Sequence, residues 1–221
     1  MTLSIIIPVY NESETLEAVL EKVNRADTNG FEKEIIIIDD GSNPSLRKSD
    51  FNGYLFIKHS KNLGKGAAIK TGLGLATGDI VLIQDADLEY EPQDFPSLLS
   101  PFSDPNVQAV YGYRTKPGYK SFYFGNKLFT GFVNMLFGSN LRDPYSGYKA
   151  IKKPLLDSLQ LVSDKFEIEA EITSKLLKKK VKILQVPIAY YPRTFEKGKK
   201  IKFFKDGGKG LWTFLKYRFL K

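Results

Sequence analysis

A parallel α/β fold is what this 221-residue sequence predicts, on three observations. Short β-rich apolar runs alternate with stretches of helical periodicity, the pattern of strands joined by crossover helices. Polar segments follow four of these stretches, at the strand ends where open α/β sheets collect ligands. The length suits one domain with a sizeable core, and 42% hydrophobic with 26% charged residues is the balance of a globular chain.

Leu3–Pro8 opens the chain as a strand, because Ile5, Ile6 and Ile7 form an apolar β-branched run that Pro8 stops. Leu16, Val19, Leu20 and Val23 then recur at helical spacing, and Asn11 with Glu14 has the spacing of a capping box. Glu34–Asp39 and Tyr54–Lys58 read as the second and third strands. Gly64–Ala76 is a glycine-led helix feeding the fourth strand, Asp79–Gln84. Strands at Val107–Tyr113 and Val181–Val186 and helices at Phe122–Phe137 and Glu167–Leu177 complete the pattern, with strict alternation ending near Arg114. There is no internal repeat.

Composition excludes several chemistries. Without cysteine there are no disulfides, thiolate zinc sites or cysteine nucleophiles, and the single histidine, His59, reads as a capping or surface residue. Any metal must be held by oxygen. Met1–Tyr10 has no basic region before its apolar run, so no signal peptide is expected. The uncharged stretch between Lys127 and Arg142 is shorter and more polar than the roughly 20 apolar residues a membrane-spanning helix needs. A cytoplasmic location is expected, and the sequon Asn11-Glu12-Ser13 is then accidental.

The formal charge of +8 is unevenly spread. From Lys175 to Lys221 fifteen basic residues face two acids, Glu196 and Asp206, which leaves the remainder with five more acids than bases. A mildly acidic body with a basic end is drawn to an anionic surface through that end.

Four segments supply candidate chemistry: 8–12 (Pro-Val-Tyr-Asn-Glu), 39–42 (Asp-Asp-Gly-Ser), 62–66 (Asn-Leu-Gly-Lys-Gly) and 85–89 (Asp-Ala-Asp-Leu-Glu). Asp39 and Asp40 read equally as turn formers. Asp85, Asp87 and Glu89 alternate, so an extended backbone would present their carboxylates to one cation, with Mg2+ or Mn2+ the ions such oxygens suit. The plainer reading is a solvated acidic loop. Gly64-Lys65-Gly66 lacks the third glycine of a dinucleotide fingerprint, and no phosphate-loop motif occurs.

In this order the four segments resemble family 2 glycosyltransferases. The second half, with 111–114 (Tyr-Gly-Tyr-Arg), 143–149 (Asp-Pro-Tyr-Ser-Gly-Tyr-Lys), 166–169 (Phe-Glu-Ile-Glu) and 193–201, resembles the polyprenyl-phosphate (dolichol-phosphate) hexosyltransferase branch. The resemblance implies a GT-A (Rossmann-like) fold: a mostly parallel central sheet with helices on both faces. The catalytic domain would span 1–190, with a nucleotide-sugar half at 1–114 and an acceptor half at 115–190. A basic, aromatic-rich segment at 191–221 would follow. By the same resemblance Pro8, Tyr10, Glu12, Ile38, Asp39, Asp40, Lys65, Asp85 and Ala86 bind the donor, and Asp87 and Glu89 hold Mg2+ or Mn2+. Asp85, Asp87, Arg114, Arg193 and Lys199 serve catalysis, the basic residues by neutralising phosphate. The branch commonly has glutamine where Glu89 stands.

The activity implied is inverting transfer of a hexose from GDP-mannose or UDP-glucose to a polyprenyl or dolichyl phosphate, at the cytosolic face of a membrane. An anionic phosphate oxygen needs no strong base to attack the anomeric carbon, so positioning and charge suffice. Leu211, Trp212, Phe214, Leu215, Tyr217, Phe219 and Leu220, interleaved with Lys209, Lys216, Arg218 and Lys221, suit either an interfacial helix or one packed on the sheet. Alternatives are a saccharide or other lipid acceptor, for which Asp143 would be the base, and a non-catalytic module binding anionic membrane. No nucleic-acid partner is expected.

Overall fold

The computed structural model describes the backbone of residues 1–115, 120–193 and 203–219, and within these the side chains of all but 120–124 and 203–207. Seven strands form one sheet: β1 (Thr2–Val9), β2 (Glu32–Asp39), β3 (Leu55–Lys58), β4 (Ile80–Ile83), β5 (Ala109–Arg114), β6 (Lys149–Lys152) and β7 (Ile183–Ile188). Their order is β3-β2-β1-β4-β6-β5-β7. Only β6 runs antiparallel to its neighbours, β4 and β5, so the sheet is mostly parallel as expected.

The helices are α1 (Ser13–Arg25), α2 (Lys65–Leu75), α3 (Phe95–Leu99), α4 (Lys120–Phe137), α5 (Lys153–Asp157), α6 (Ile168–Lys178) and α7 (Phe203–Phe219). Alternation along β1 divides the core between the sheet's two faces. Leu3, Ile5 and Ile7 pack with Leu16, Val19, Leu20 and Val23 of α1 and with α3. Ile6 packs oppositely with Ala68 and Ile69 of α2 and with Ile168, Ile172 and Leu176 of α6. Helix α2 lies close on β1, because a Cβ at Gly72 would sit 2.5 Å from Ile6 Cγ2.

Two local expectations are corrected. Asn11 does not cap α1: Glu12 holds the N-cap position without a side-chain cap bond, while Asn11 takes φ +52° and its Oδ1 accepts Asn43 N–H at 2.8 Å. The missed strand is β6, whose four residues, Lys-Ala-Ile-Lys, are too few and too charged to show a strand pattern. Helix α7 docks through Phe214, fully buried against Val133 of α4 and Ala170 of α6. Among the described residues no helix is long and apolar enough to cross a membrane.

Candidate active site

Chain order places the crevice. After β1 the chain builds β2 and β3 on one side, then returns to add β4 on the other, so the strand order reverses between β1 and β4. Carboxyl ends of parallel strands open there, the location where such sheets bind ligands. The segment after β1 carries Glu12, and the segment after β4 carries Asp85, Ala86, Asp87 and Glu89. Thr15 of α1 fastens the two ends by donating its hydroxyl to the Ala86 carbonyl at 2.6 Å.

Asp87 and Glu89 come together by a turn, not by extended alternation. Leu88 adopts φ +60°, and Glu89 N–H donates to Asp87 Oδ1 at 3.1 Å. Burial, followed by the charges of Asp85 and Glu89, pushes the Asp87 carboxyl up to about 7, although Glu89 N–H and Arg193 pull the other way. Glu89 is 8% exposed and held on both oxygens, by Tyr190 Oη–H at 2.8 Å and Arg193 N–H at 2.9 Å.

Arg193 spans the acidic mouth. Its guanidinium makes two bonds of 2.9 Å to Glu12 and lies 3.4 Å from Asp87 Oδ2. Arg114, at the end of β5, forms a forked pair with Asp143 at 2.6 and 3.0 Å and stacks 5.0 Å from the centre of the Tyr190 ring. Burial opposes the charge on both arginines, but the neighbouring carboxylates more than restore it. Tyr190 thus links Arg114 to Glu89.

Beside the mouth, Lys65 at the start of α2 reaches Asp85 Oδ1 at 2.7 Å. Gly64 makes this start possible: its φ of +108° favours glycine, and a Cβ there would lie 2.4 Å from the Asp164 carbonyl oxygen. Asp40 secures the same turn, accepting Leu63 N–H at 2.9 Å and Gly64 N–H at 2.8 Å. His59 completes this clamp, with Nδ1 2.7 Å from Asp40 and Nε2 2.9 Å from Thr71 Oγ1. The expectation of a capping or surface histidine misses this role.

Not every expected donor-site side chain faces the crevice. Ile38 is core, and Asp39 is fully buried, with Oδ1 accepting Ser42 N–H at 2.9 Å and Oδ2 unpartnered. Pro8 is half-buried, Tyr10 is 38% exposed, and Ala86 is buried. Lys199 lies outside the described residues. Sequence pattern left Tyr190 unnoticed, gave His59 no part in the site, and named Arg114 and Asp143 without pairing them, because the partners lie far apart along the chain.

The donor chemistry fits a divalent cation. Asp87 is crowded by like charge, and a cation would relieve that repulsion. Among the described residues no three His, Cys, Asp or Glu side chains are gathered to hold a metal ion, so Asp87 and Glu89 would share it with oxygens from elsewhere, such as a diphosphate.

A carboxylate crevice at the switch point of a mostly parallel sheet, overhung by arginines, defines a site suited to an anionic, cation-bridged ligand. The family model described as glycosyl transferase family 2 matches residues 4–159, and the chain belongs to that family. The chain is 27% identical to the dolichol-phosphate mannosyltransferase of Pyrococcus furiosus over 100% of its own length, and spans 64% of that protein. It is 29% identical to glycosyltransferase AglJ of Haloferax volcanii over 92% of its length and 68% of the relative's. Its fold superposes with a TM-score of 0.76 on glucosyl-3-phosphoglycerate synthase of Mycobacterium tuberculosis, solved with Mn2+, UDP and phosphoglyceric acid. That match is 20% identical and covers 100% of this chain and 79% of the other.

Proposed function

We propose that the chain transfers a hexose from a nucleotide sugar, GDP-mannose or UDP-glucose, to a polyprenyl phosphate at a membrane surface, inverting the anomeric centre. The observation that carries this reading is the junction of Glu12, Asp87 and Glu89 around Arg193, with Arg114 one ring away. The mannosyltransferase relative supports the lipid acceptor, and the synthase solved with Mn2+ and UDP supports a cation-bridged nucleotide.

Asp87 and Glu89 are the residues that would hold Mg2+ or Mn2+. When bound, the ion neutralises charge on the departing diphosphate. Glu12, with Pro8, Tyr10 and the backbone at Ile38, Asp39, Asp40 and Ala86, would surround the nucleoside, the buried Asp39 and Asp40 carboxylates shaping its loop from behind. Arg114, Arg193 and Lys199 would take phosphate charge, leaving the acceptor phosphate oxygen free to attack as the bond from the anomeric carbon to the diphosphate breaks. Both oxygens of Asp143 are occupied by Arg114, which favours an anionic acceptor over a saccharide hydroxyl needing that carboxylate as base.

Trp212 and Phe219 are 66% and 71% exposed on α7, beside the exposed charges of Lys209, Lys216 and Arg218. This mixture supports peripheral association with anionic lipid. Thermal shifts with UDP, GDP, UDP-glucose and GDP-mannose, with and without Mn2+, test the donor. A selective Mn2+-dependent rise together with transfer to polyprenyl phosphate is the expected result. Absence of any shift and of any transfer would refute the reading. Flotation with anionic vesicles should fall at high salt and after Trp212→Ala; salt-independent binding would remove the interfacial role.

A further inference from the structure

Behind Asp85 lies a row of alternating charges. Lys65 Nζ stands 2.7 Å from Asp85 Oδ1 and 3.1 Å from Glu169 Oε1, the second contact an ion pair without hydrogen-bond alignment. Glu169 Oε2 accepts from Lys149 Nζ, which also donates to the Ser146 carbonyl and sits 5.0 Å over the Tyr111 ring. Lys149 has no exposure, and Glu169 is 4% exposed. Neither can touch a ligand in the crevice. Thr173 braces this arrangement: its one hydroxyl proton is shared between the Glu169 carbonyl at 2.9 Å and the Pro144 carbonyl at 3.1 Å, and its oxygen accepts from Tyr111 Oη–H at 3.2 Å.

Asp85 is held on its other side by a missing side chain. A Cβ at Gly147 would stand 2.8 Å from Asp85 Oδ2. Lys65 and Asp85 belong to the half that carries the donor segments, whereas Gly147, Lys149 and Glu169 come from β6, its lead-in and α6. The row therefore joins the two halves directly behind a carboxylate that borders Asp87.

Burying an ion pair such as Lys149–Glu169 brings little net stability over apolar residues of similar volume. Burial leaves the Lys149 ammonium below its usual range despite the Glu169 carboxylate beside it. Burial works against the Glu169 carboxylate, but Lys149 and Lys65 hold it below the usual range, and Asp85 with Glu169 more than offsets the burial of Lys65. A costly arrangement almost closed to solvent that ends on a crevice carboxylate has the form of a support for that carboxylate.

We infer that Glu169 and Lys149 are positioning residues, which fix the ammonium of Lys65 and through it the orientation of Asp85 toward the donor site. This rests on the donor site under Proposed function, and two paired variants test it. Glu169→Leu with Lys149→Met removes both charges together and leaves no lone buried ion. Glu169→Gln with Lys149→Met keeps a neutral oxygen for Lys65 at almost unchanged volume, and serves where the first pair fails to fold.

The Leu/Met variant should melt close to wild type yet lose about 10–100-fold in kcat or in Mn2+-dependent affinity for UDP or GDP, the usual effect of removing such a support. The Gln/Met variant should recover part of that loss. Wild-type turnover and affinity in either folded variant would overturn the inference, since a merely structural pair moves only the melting temperature. Failure of the wild-type chain to bind any nucleotide with Mn2+ would sink the donor reading alone. The positioning claim is then judged from crystal structures of wild type and the Leu/Met variant: Lys65 and Asp85 shifted from their wild-type places sustain it, and both unmoved overturn it.

Discussion

Replacing Asp87 by asparagine should stabilise the protein while ending its chemistry. A carboxyl held at about 7 instead of 3.8 keeps its proton in the folded state between those values, where the unfolded chain has lost it. Folding therefore weakens as pH rises from about 4 to about 7 and levels off above. At 1.36 kcal/mol for each tenfold change, the ionised carboxylate costs the folded form about 4 kcal/mol at pH 8. Because the side chain is 23% exposed, solvent lowers the recoverable amount, and a gain of about 2–4 kcal/mol is expected for Asp87→Asn. Urea denaturation of wild type and variant at pH 5 and pH 8 reads this: the gain should be largest at pH 8 and shrink toward pH 5. Glu169 and Glu171, held low in the fold, lose stabilisation as pH falls, but they do so equally in both proteins and cancel in the difference. An asparagine variant no more stable than wild type at pH 8 would refute the reasoning. Glycosyl transfer by the variant should be lost even as its stability rises.

Arg193→Ala removes the bidentate partner of Glu12 and a cation 3.4 Å from Asp87; kcat should fall by about 10²–10³ with the circular dichroism spectrum unchanged, measured by release of nucleoside diphosphate. Gly147→Ala places a methyl 2.8 Å from Asp85 Oδ2 and 3.1 Å from Tyr90 Cε2, and this overpacking should cost about 1–3 kcal/mol by denaturant titration, with slower turnover. Phe214→Ala empties the contact that seats α7 on α4 and α6; a loss of about 3–5 kcal/mol by the same titration is expected, and less if α7 detaches independently of the sheet.

Strand positions were legible because the interior strands are continuous β-branched runs. Ile5 to Ile7 and Ile35 to Ile38 bury side chains on both faces and announce themselves without context. The same logic hid β6, since Lys149 is buried only because Glu169, twenty residues later, meets its charge. The acidic series Asp85, Asp87 and Glu89 stood out in the sequence, but its shape did not: the left-handed Leu88 bends the backbone, and the Glu89 N–H turns back onto Asp87. His59 carried no pattern of its own. Its contact with Asp40 depends on β2 and β3 ending side by side, a consequence of sheet order that no local spacing encodes. Arg114 and Arg193 were identified as basic residues near phosphate, yet their partners, Asp143 and Glu12, required the folded crevice.

Crystals grown with Mn2+ and either UDP or GDP offer the most direct measurement, read through the anomalous signal of manganese. A peak about 2.1 Å from an Asp87 oxygen, with diphosphate on the same ion and the nucleoside beside Glu12, is the predicted result. A nucleotide bound elsewhere, or manganese bound away from the segment following β4, would contradict it.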